Sequence, residues 1–208
     1  MIQVQNLSKK FKKQTVLSDI NLTFNDGMIH GLVGRNGSGK TVLMKCICGL
    51  LNPTSGKVTV NGKVIGKDCD FIEDAGIMIE HTGFIKSQSG YRNLYHLAMV
   101  KKQISKDDIM HTLKLVGLED AAHKAVRTYS MGMRQRLGIA QAIMENPSTL
   151  ILDEPFNGLD RNGVLEMREL LLDMKKQGKT ILLASHYHED IEQLCDTVTE
   201  MENLRDYS

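Results

Sequence analysis

Gly34-Arg35-Asn36-Gly37-Ser38-Gly39-Lys40-Thr41 fits the pattern G-x-x-x-x-G-K-[ST], in which each fixed position has a physical task. The glycines let backbone N–H groups turn inward onto phosphate oxygens, with Arg35, Asn36, Ser38 and Val42 completing the cradle. Lys40 reaches the β- and γ-phosphates, and Thr41 offers its hydroxyl to Mg²⁺. The flanks separate this stretch from an ordinary glycine-rich turn. Met28-Ile29-His30-Gly31-Leu32-Val33 reads as a buried strand entering the loop. Val42-Leu43-Met44-Lys45-Cys46-Ile47-Cys48 reads as the helix leaving it, its positive dipole end aimed at the anion. The stretch predicts that the chain binds a nucleoside triphosphate.

Composition narrows the setting. With 208 residues and 41% hydrophobic content, the chain can bury one large core or a core with a modest subdomain. The 26 basic and 25 acidic residues nearly cancel, so no broad basic field marks nucleic acid or an anionic membrane as a direct partner. No apolar run approaches the roughly 18–20 residues that span a bilayer. Met1-Ile2-Gln3-Val4 alternates like a strand and lacks the apolar centre of a signal peptide. Cys46, Cys48, Cys69 and Cys195 show no pairing framework; Cys46 and Cys48 lie two apart on a predicted helix and point in different directions, so all four read as thiols of a reducing cytosol.

Along the chain, the first third is strand-rich. Ile2 and Val4 alternate with polar neighbours, and Asn21-Leu22-Thr23-Phe24 ends at the turn Asn25-Asp26-Gly27. Asn61-Gly62 between Lys57-Val58-Thr59-Val60 and Lys63-Val64-Ile65 predicts a hairpin. The middle third, about residues 84–144, changes to helical signals: Ser105 before Asp107 and Asp108 starts a helix, Ile109, Leu113 and Val116 line one face, and Gly117 stops it. The last third returns to β–α alternation, with strands at Thr149–Leu152 and Thr180–Ala184 around a helix at Leu165–Lys176. Near-continuous apolar strands alternating with helices predict a buried, mainly parallel sheet.

A second chemical element lies further along: Ile151-Leu152-Asp153-Glu154-Pro155 ends an apolar strand in two carboxylates. Asp153 suits a Mg²⁺ held through water, and Glu154 suits polarisation of an attacking water. Both lie where ligands collect in parallel sheets, at the C-terminal end of a strand.

Tyr129-Ser130-Met131-Gly132-Met133-Arg134-Gln135-Arg136, placed before that strand, resembles the signature motif of ABC ATPases, usually L-S-G-G-Q. Ser130 and Gly132 match; Tyr129, Met131 and Met133 depart, and taken alone the segment is a helix N-terminus capped by Ser130. Asn157-Gly158-Leu159-Asp160 resembles the family's D-loop, and His186 after Ser185 resembles its switch histidine. Phe11, which precedes Lys40 by 29 positions, resembles the aromatic that stacks on adenine and otherwise reads as core. At the end of Gly76-Ile77-Met78-Ile79, where the family usually carries glutamine, this chain has Glu80, still able to offer Mg²⁺ an oxygen. Glu80, Tyr91-Arg92-Asn93-Leu94 and the form of the signature are similar to bacitracin- and lantibiotic-type exporter ATPases.

That resemblance implies an α/β P-loop NTPase fold with an antiparallel β subdomain and an inserted helical subdomain near 84–144, all within one ABC ATPase domain spanning 1–208. It implies ATP and Mg²⁺ as ligands, with Thr41, Glu80 and Asp153 near the metal and Glu154 and His186 catalytic. It further implies a head-to-tail dimer in which Ser130, Met131, Gly132 and Met133 complete the partner's site, assisted by Asp160. The expected partners are a second copy and separately encoded membrane permease subunits, placing the chain on the inner face of the cell membrane. The roughly ninety residues from Lys40 to Ser130 leave no room for the coiled coil of DNA-maintenance relatives, and one cassette differs from the fused pair of translation-associated ones. A soluble assembly factor is the alternative. After Cys195-Asp196, Thr197–Met201 reads as a last strand, and the short remainder implies that any regulatory role carried there by longer relatives is absent or reduced.

Overall fold

In the computed structural model, which describes residues 1–12, 14–80 and 83–202, the chain forms two sheets. The first is antiparallel and runs β2 (Gln14–Phe24), β1 (Ile2–Phe11), β4 (Ser55–Val60), β5 (Lys63–Val64). The second runs β6 (Ala75–Met78), β7 (Thr149–Asp153), β8 (Thr180–Ala184), β3 (Ile29–Val33), β9 (Thr197–Glu200), every pair parallel. Helices α1 (Lys40–Cys48), α2 (Gly90–Lys101), α3 (Lys106–Leu115), α4 (Met131–Ile143), α5 (Arg161–Lys176) and α6 (His188–Leu194) complete the fold.

The unbroken apolar strands have a simple cause: both faces of the parallel sheet are buried. Leu150, Leu152, Ile181 and Leu183 pack into the core shared with α2–α5, whereas Leu32, Ile151, Leu182 and Ala184 pack with α1 and the antiparallel sheet. At about 25 cal/mol per Å² of apolar surface removed from water, this two-sided burial is the main stabilising term.

Several boundaries differ from the sequence expectations. The first two strands run much further, to Phe11 and from Gln14, because bulges break the period-two alternation. Asn6 and Asp19 hold these bulges at φ 48° and 47°, with Asn6 Nδ2 donating to Asp19 Oδ1 at 2.9 Å. The hairpin forms with Asn61 and Gly62 at φ 49° and 81°, as a tight primed turn requires, although β5 stops at Val64. The strand before Glu80 ends at Met78, and Met201 lies past β9 while its N–H still reaches Val33 O at 2.8 Å. α5 starts earlier than expected because Asp160 caps it, accepting from Gly163 N–H at 2.8 Å.

Between β6 and β7 the chain is helical. α3 begins with a capping box made by Ser105 and Asp108 and ends before Gly117 at φ 72°. α4 packs against α3 and also lies on β6. The second contact is intimate: a Cβ on Gly76 would stand 1.8 Å from Ala142 O. The cysteines are all free, and burial pushes the thiols of Cys46 up to about 11 and of Cys48 and Cys195 up to about 12, as befits inert core groups. Among the described residues, no helix is long and apolar enough to cross a membrane.

Gly76→Val is expected to force α4 off β6 and destabilise the fold by about 3 kcal/mol, the upper range for overpacking a core. Denaturant melts read this directly; an unchanged midpoint would refute the close approach.

Candidate nucleotide site

β3, β8 and β7 are neighbours in one parallel sheet, so the segments leaving their C-terminal ends converge on one edge. These are the phosphate loop after β3, Asp153-Glu154 at the end of β7, and Ser185-His186 after β8. The loop turns on glycine: Gly37 and Gly39 adopt φ 81° and 102°, and a Cβ on Gly39 would meet Leu17 of β2 at 2.8 Å.

Lys40 is buried, and its ammonium donates to the loop's own carbonyls, Gly34 O at 2.5 Å and Arg35 O at 3.4 Å. In the first turn of α1, Thr41 Oγ1 donates to Asp153 Oδ2 at 2.6 Å, joining the two predicted Mg²⁺-facing groups. Ser38 Oγ, at 4% exposure, is the one buried side-chain nitrogen or oxygen among the described residues without a hydrogen-bond partner. A buried hydroxyl left unsatisfied costs about 1–3 kcal/mol, which a phosphate oxygen would relieve. A cavity of about 370 Å³ opens here, lined by the loop from Asn36 to Val42, Asp153, Glu154, and Gln14 and Val16 of β2. These donors fit a nucleoside triphosphate with a divalent cation; among the described residues no three His, Cys, Asp or Glu side chains cluster to hold a metal unaided.

Glu154 takes a left-handed backbone conformation, φ 51°, with its N–H donating to Ala184 O at 2.9 Å. The kink turns its carboxylate back over the sheet edge, where Oε2 accepts from His186 Nδ1 at 2.8 Å and Oε1 lies 4.0 Å from Lys40 Nζ. His186 in turn packs on Tyr187, ring centroids 4.0 Å apart. Lys40, Thr41, Asp153, Glu154 and His186 therefore meet at one edge of the sheet.

Other predicted residues stand elsewhere. Ser130 caps α4, accepting from Met133 N–H at 3.1 Å, and Gly132 approaches the Gly158 carbonyl so closely that a Cβ would lie 2.9 Å from it. Ser130, Met131, Gly132 and Met133 share a cavity of about 430 Å³ with Leu159 and Asp160, and none of its lining residues belongs to the phosphate-loop cavity. Phe11 does not line the loop cavity; it is half-exposed, pairs across the hairpin with Gln14, and carries the Lys9 ammonium 5.0 Å from its ring centroid. The carboxylate of Glu80, at φ 57°, is held by Lys45 of α1 at 2.6 Å rather than by Thr41 or Asp153. A separate cavity of about 510 Å³ nonetheless brings Glu80 together with Asp153, Glu154 and Gln135.

Three groups at the site have roles that sequence reasoning misses. Gln135 Nε2 donates to Glu154 O at 2.8 Å, and its place in the quoted signature segment is a usable signal. Lys45, one turn beyond Thr41 on α1, could have been found from helical spacing. The Arg168–Asp190 pair behind the His186 turn has no local sequence signal.

Comparison with known proteins identifies the family. The family described as "ABC transporter" matches residues 17–157. YybJ of Bacillus subtilis, an ABC transporter ATP-binding protein, is 45% identical over 99% of this chain and 94% of its own length. The bacitracin transport ATP-binding protein BcrA of Enterococcus faecalis is 41% identical over 97% of this chain, which spans only 66% of BcrA. The lantibiotic transport ATP-binding protein SrtF of Streptococcus pyogenes is 36% identical over 95% of this chain and 85% of its own. Among solved structures, an ATP-binding subunit of an ABC transporter superposes with a TM-score of 0.87 at 27% identity, covering 100% of this chain and 88% of its own. A dimeric ATP-binding cassette bound to ADP and phosphate superposes at 0.86, with 22% identity over 96% of this chain and 94% of its own, a likeness of fold.

Lys40→Ala is expected to abolish ATP hydrolysis and weaken ATP binding at least about 100-fold, since a buried phosphate charge loses its partner. Its melting temperature should change little, because the hydrogen bonds of the ammonium go to carbonyls of its own loop, and its carboxylate neighbour, Glu154, lies at 4.0 Å and keeps His186 as partner. Near-normal turnover in a coupled phosphate-release assay would refute the assignment.

Proposed function

The chain belongs to the ABC transporter family as an ATP-hydrolysing, ATP-binding subunit, and from that premise we propose that it drives export of antimicrobial peptides or related small molecules. It would do so from the inner face of the membrane, docked on separately encoded permease subunits. The similarity to BcrA and SrtF supports the substrate class. The observation that carries the chemistry is the convergence of two pairs, Thr41 with Asp153 and Glu154 with His186, on one sheet edge.

In this reading the loop from Gly34 to Val42 cradles the triphosphate and Phe11 stacks on adenine. Thr41 and Asp153 would hold Mg²⁺, with Glu80 nearby; the ion supplies charge neutralisation of the phosphate oxygens. Glu154 acts as general base. His186 donates through Nδ1 to Oε2, fixing the carboxylate and leaving Oε1, the oxygen on the Lys40 side, to take the proton of the attacking water. Ser130, Met131, Gly132 and Met133 of a second copy complete each site, with Asp160 bordering the interface. Their separation from the phosphate-loop cavity of their own chain supports donation in trans. The chain acts as a single ATPase unit with about residues 84–144 as its helical arm, and the loop around Glu80 links nucleotide state to the permease.

Glu154→Gln is expected to keep ATP affinity, slow hydrolysis by about 10³-fold, and accumulate as a dimer in sedimentation runs with Mg-ATP. In a host deprived of this chain, sensitivity to bacitracin or a lantibiotic should rise, and Glu154→Gln should fail to restore resistance; unchanged sensitivity would refute the exporter reading. Glu80→Ala should impair Mg²⁺-dependent hydrolysis more than Glu80→Gln, because only the amide retains an oxygen. Equal activity of Glu80→Ala and the parent protein, with and without permease, would make Glu80 an ordinary surface acid.

A further inference from the structure

The turn that carries His186 is gripped from behind by a buried polar chain. Ser185 leaves β8 with its hydroxyl donating to Asp190 Oδ2 at 3.0 Å and accepting from Tyr187 N–H at 3.1 Å. The other carboxylate oxygen of Asp190 accepts from Arg168 Nε at 3.1 Å and from Nη2 of the same guanidinium. Arg168 reaches across from α5, and its Nη1 is held by Gln193 Oε1 at 2.5 Å and Glu189 Oε1 at 3.4 Å, both on α6. Ser185, Asp190 and Arg168 are 1%, 3% and 7% exposed.

An ion pair this buried is an expensive way to join two helices. Desolvation costs several kcal/mol per ion, and well-packed apolar side chains of similar volume often do as well or better. What apolar packing does not supply is direction. Each bond in this chain has fixed geometry, and the chain ends on the hydroxyl that closes residues 185–187 into a turn. The next residue is His186, whose Nδ1 meets Glu154 at 2.8 Å. The front of the turn is fixed to the sheet as well, since Ser185 N–H donates to Leu32 O at 3.4 Å and Glu154 N–H to Ala184 O at 2.9 Å.

We propose that Ser185, Asp190 and Arg168 are positioning residues for hydrolysis, holding the turn 185–187 so that His186 presents Nδ1 to Glu154. The proposal rests on the reading of Glu154 and His186 as the hydrolytic pair. None of the three touches the nucleotide cavity, so their effect falls on the chemical step and not on nucleotide binding. Asp190 is the pivot because both of its oxygens are in use. Asparagine keeps the shape but removes the charge that faces Arg168, and its amide NH₂ can only donate to the Ser185 hydroxyl, reversing the bond that holds the turn.

The test compares Ser185→Ala, Asp190→Asn, Glu154→Gln, His186→Ala and Leu171→Ala in steady-state ATPase assays, with affinity measured by a fluorescent ATP analogue. Leu171 is a buried apolar residue of α5 that makes no bond in the polar chain, and it controls for lost stability. For Ser185→Ala, kcat should fall about tenfold, or about 1.4 kcal/mol in the barrier, with KM and analogue affinity within about twofold of the parent. Asp190→Asn should lose more, and Leu171→Ala should melt earlier while retaining its kcat below the transition. Unchanged kcat in Ser185→Ala, with Glu154→Gln and His186→Ala inactive, would overturn the proposal even if Asp190→Asn failed to fold. So would kcat and affinity falling together as the protein melts, which is the mark of a purely structural role. Full turnover in Glu154→Gln and His186→Ala would instead overturn the reading of the site beneath it.

Discussion

Ala184 stands level with Leu32 on one side and Asp153 on the other, and this register places the chemistry of the whole molecule. Because β3, β8 and β7 are parallel and in step there, the segments leaving the three strands emerge at the same height. The phosphate loop, the turn at Ser185-His186 and the two carboxylates are thus brought together by backbone pairing before any side chain interacts. A slip of one residue would exchange the side chains packed with α2–α5 for those packed with α1 and the antiparallel sheet, so the fit of side-chain shapes on both faces enforces the alignment. The hydrogen bond from Thr41 to Asp153 then closes a gap of 112 residues in sequence.

Much of this is legible in the sequence because it is local. The phosphate loop, the Asn61-Gly62 hairpin, the Ser105 capping box and the continuous apolar strands each depend on residues within one or two turns of each other. The features that escape depend on distant partners. The length of β1 and β2 is hidden by bulges whose side chains bond across the hairpin, Asn6 to Asp19 and Asn21. Gly76 reads as an ordinary strand residue, yet it is small because α4 lies against it. Glu80 reads, from its place in the chain, as facing a metal, whereas Lys45 holds its carboxylate from 35 residues away. Arg168 and Asp190, 22 residues apart on different helices, carry no motif at all.

Several residues anticipated as chemical also do structural work. Ser130 caps α4 and Asp160 caps α5, each satisfying a backbone donor that the helix leaves unpaired. The two helix starts are in contact, Gly132 against the Gly158 carbonyl and Met131 over Gly158. The start of α4 and the segment that precedes α5 are therefore packed as one unit. Capping does not exhaust Ser130, because a serine hydroxyl that accepts from Met133 N–H still has a proton to donate.

The ammonium of Lys40 has an internal ligand, the carbonyl of Gly34, and that has a thermodynamic consequence. With Arg35 O at 3.4 Å and the Glu154 carboxylate 4.0 Å away, the charge is already solvated by the protein itself. An ammonium has three protons to donate, so these contacts leave capacity for a further acceptor without any of them having to leave. The loop is thus stable on its own, and the folded protein need not hold nucleotide to tolerate a lysine in its interior.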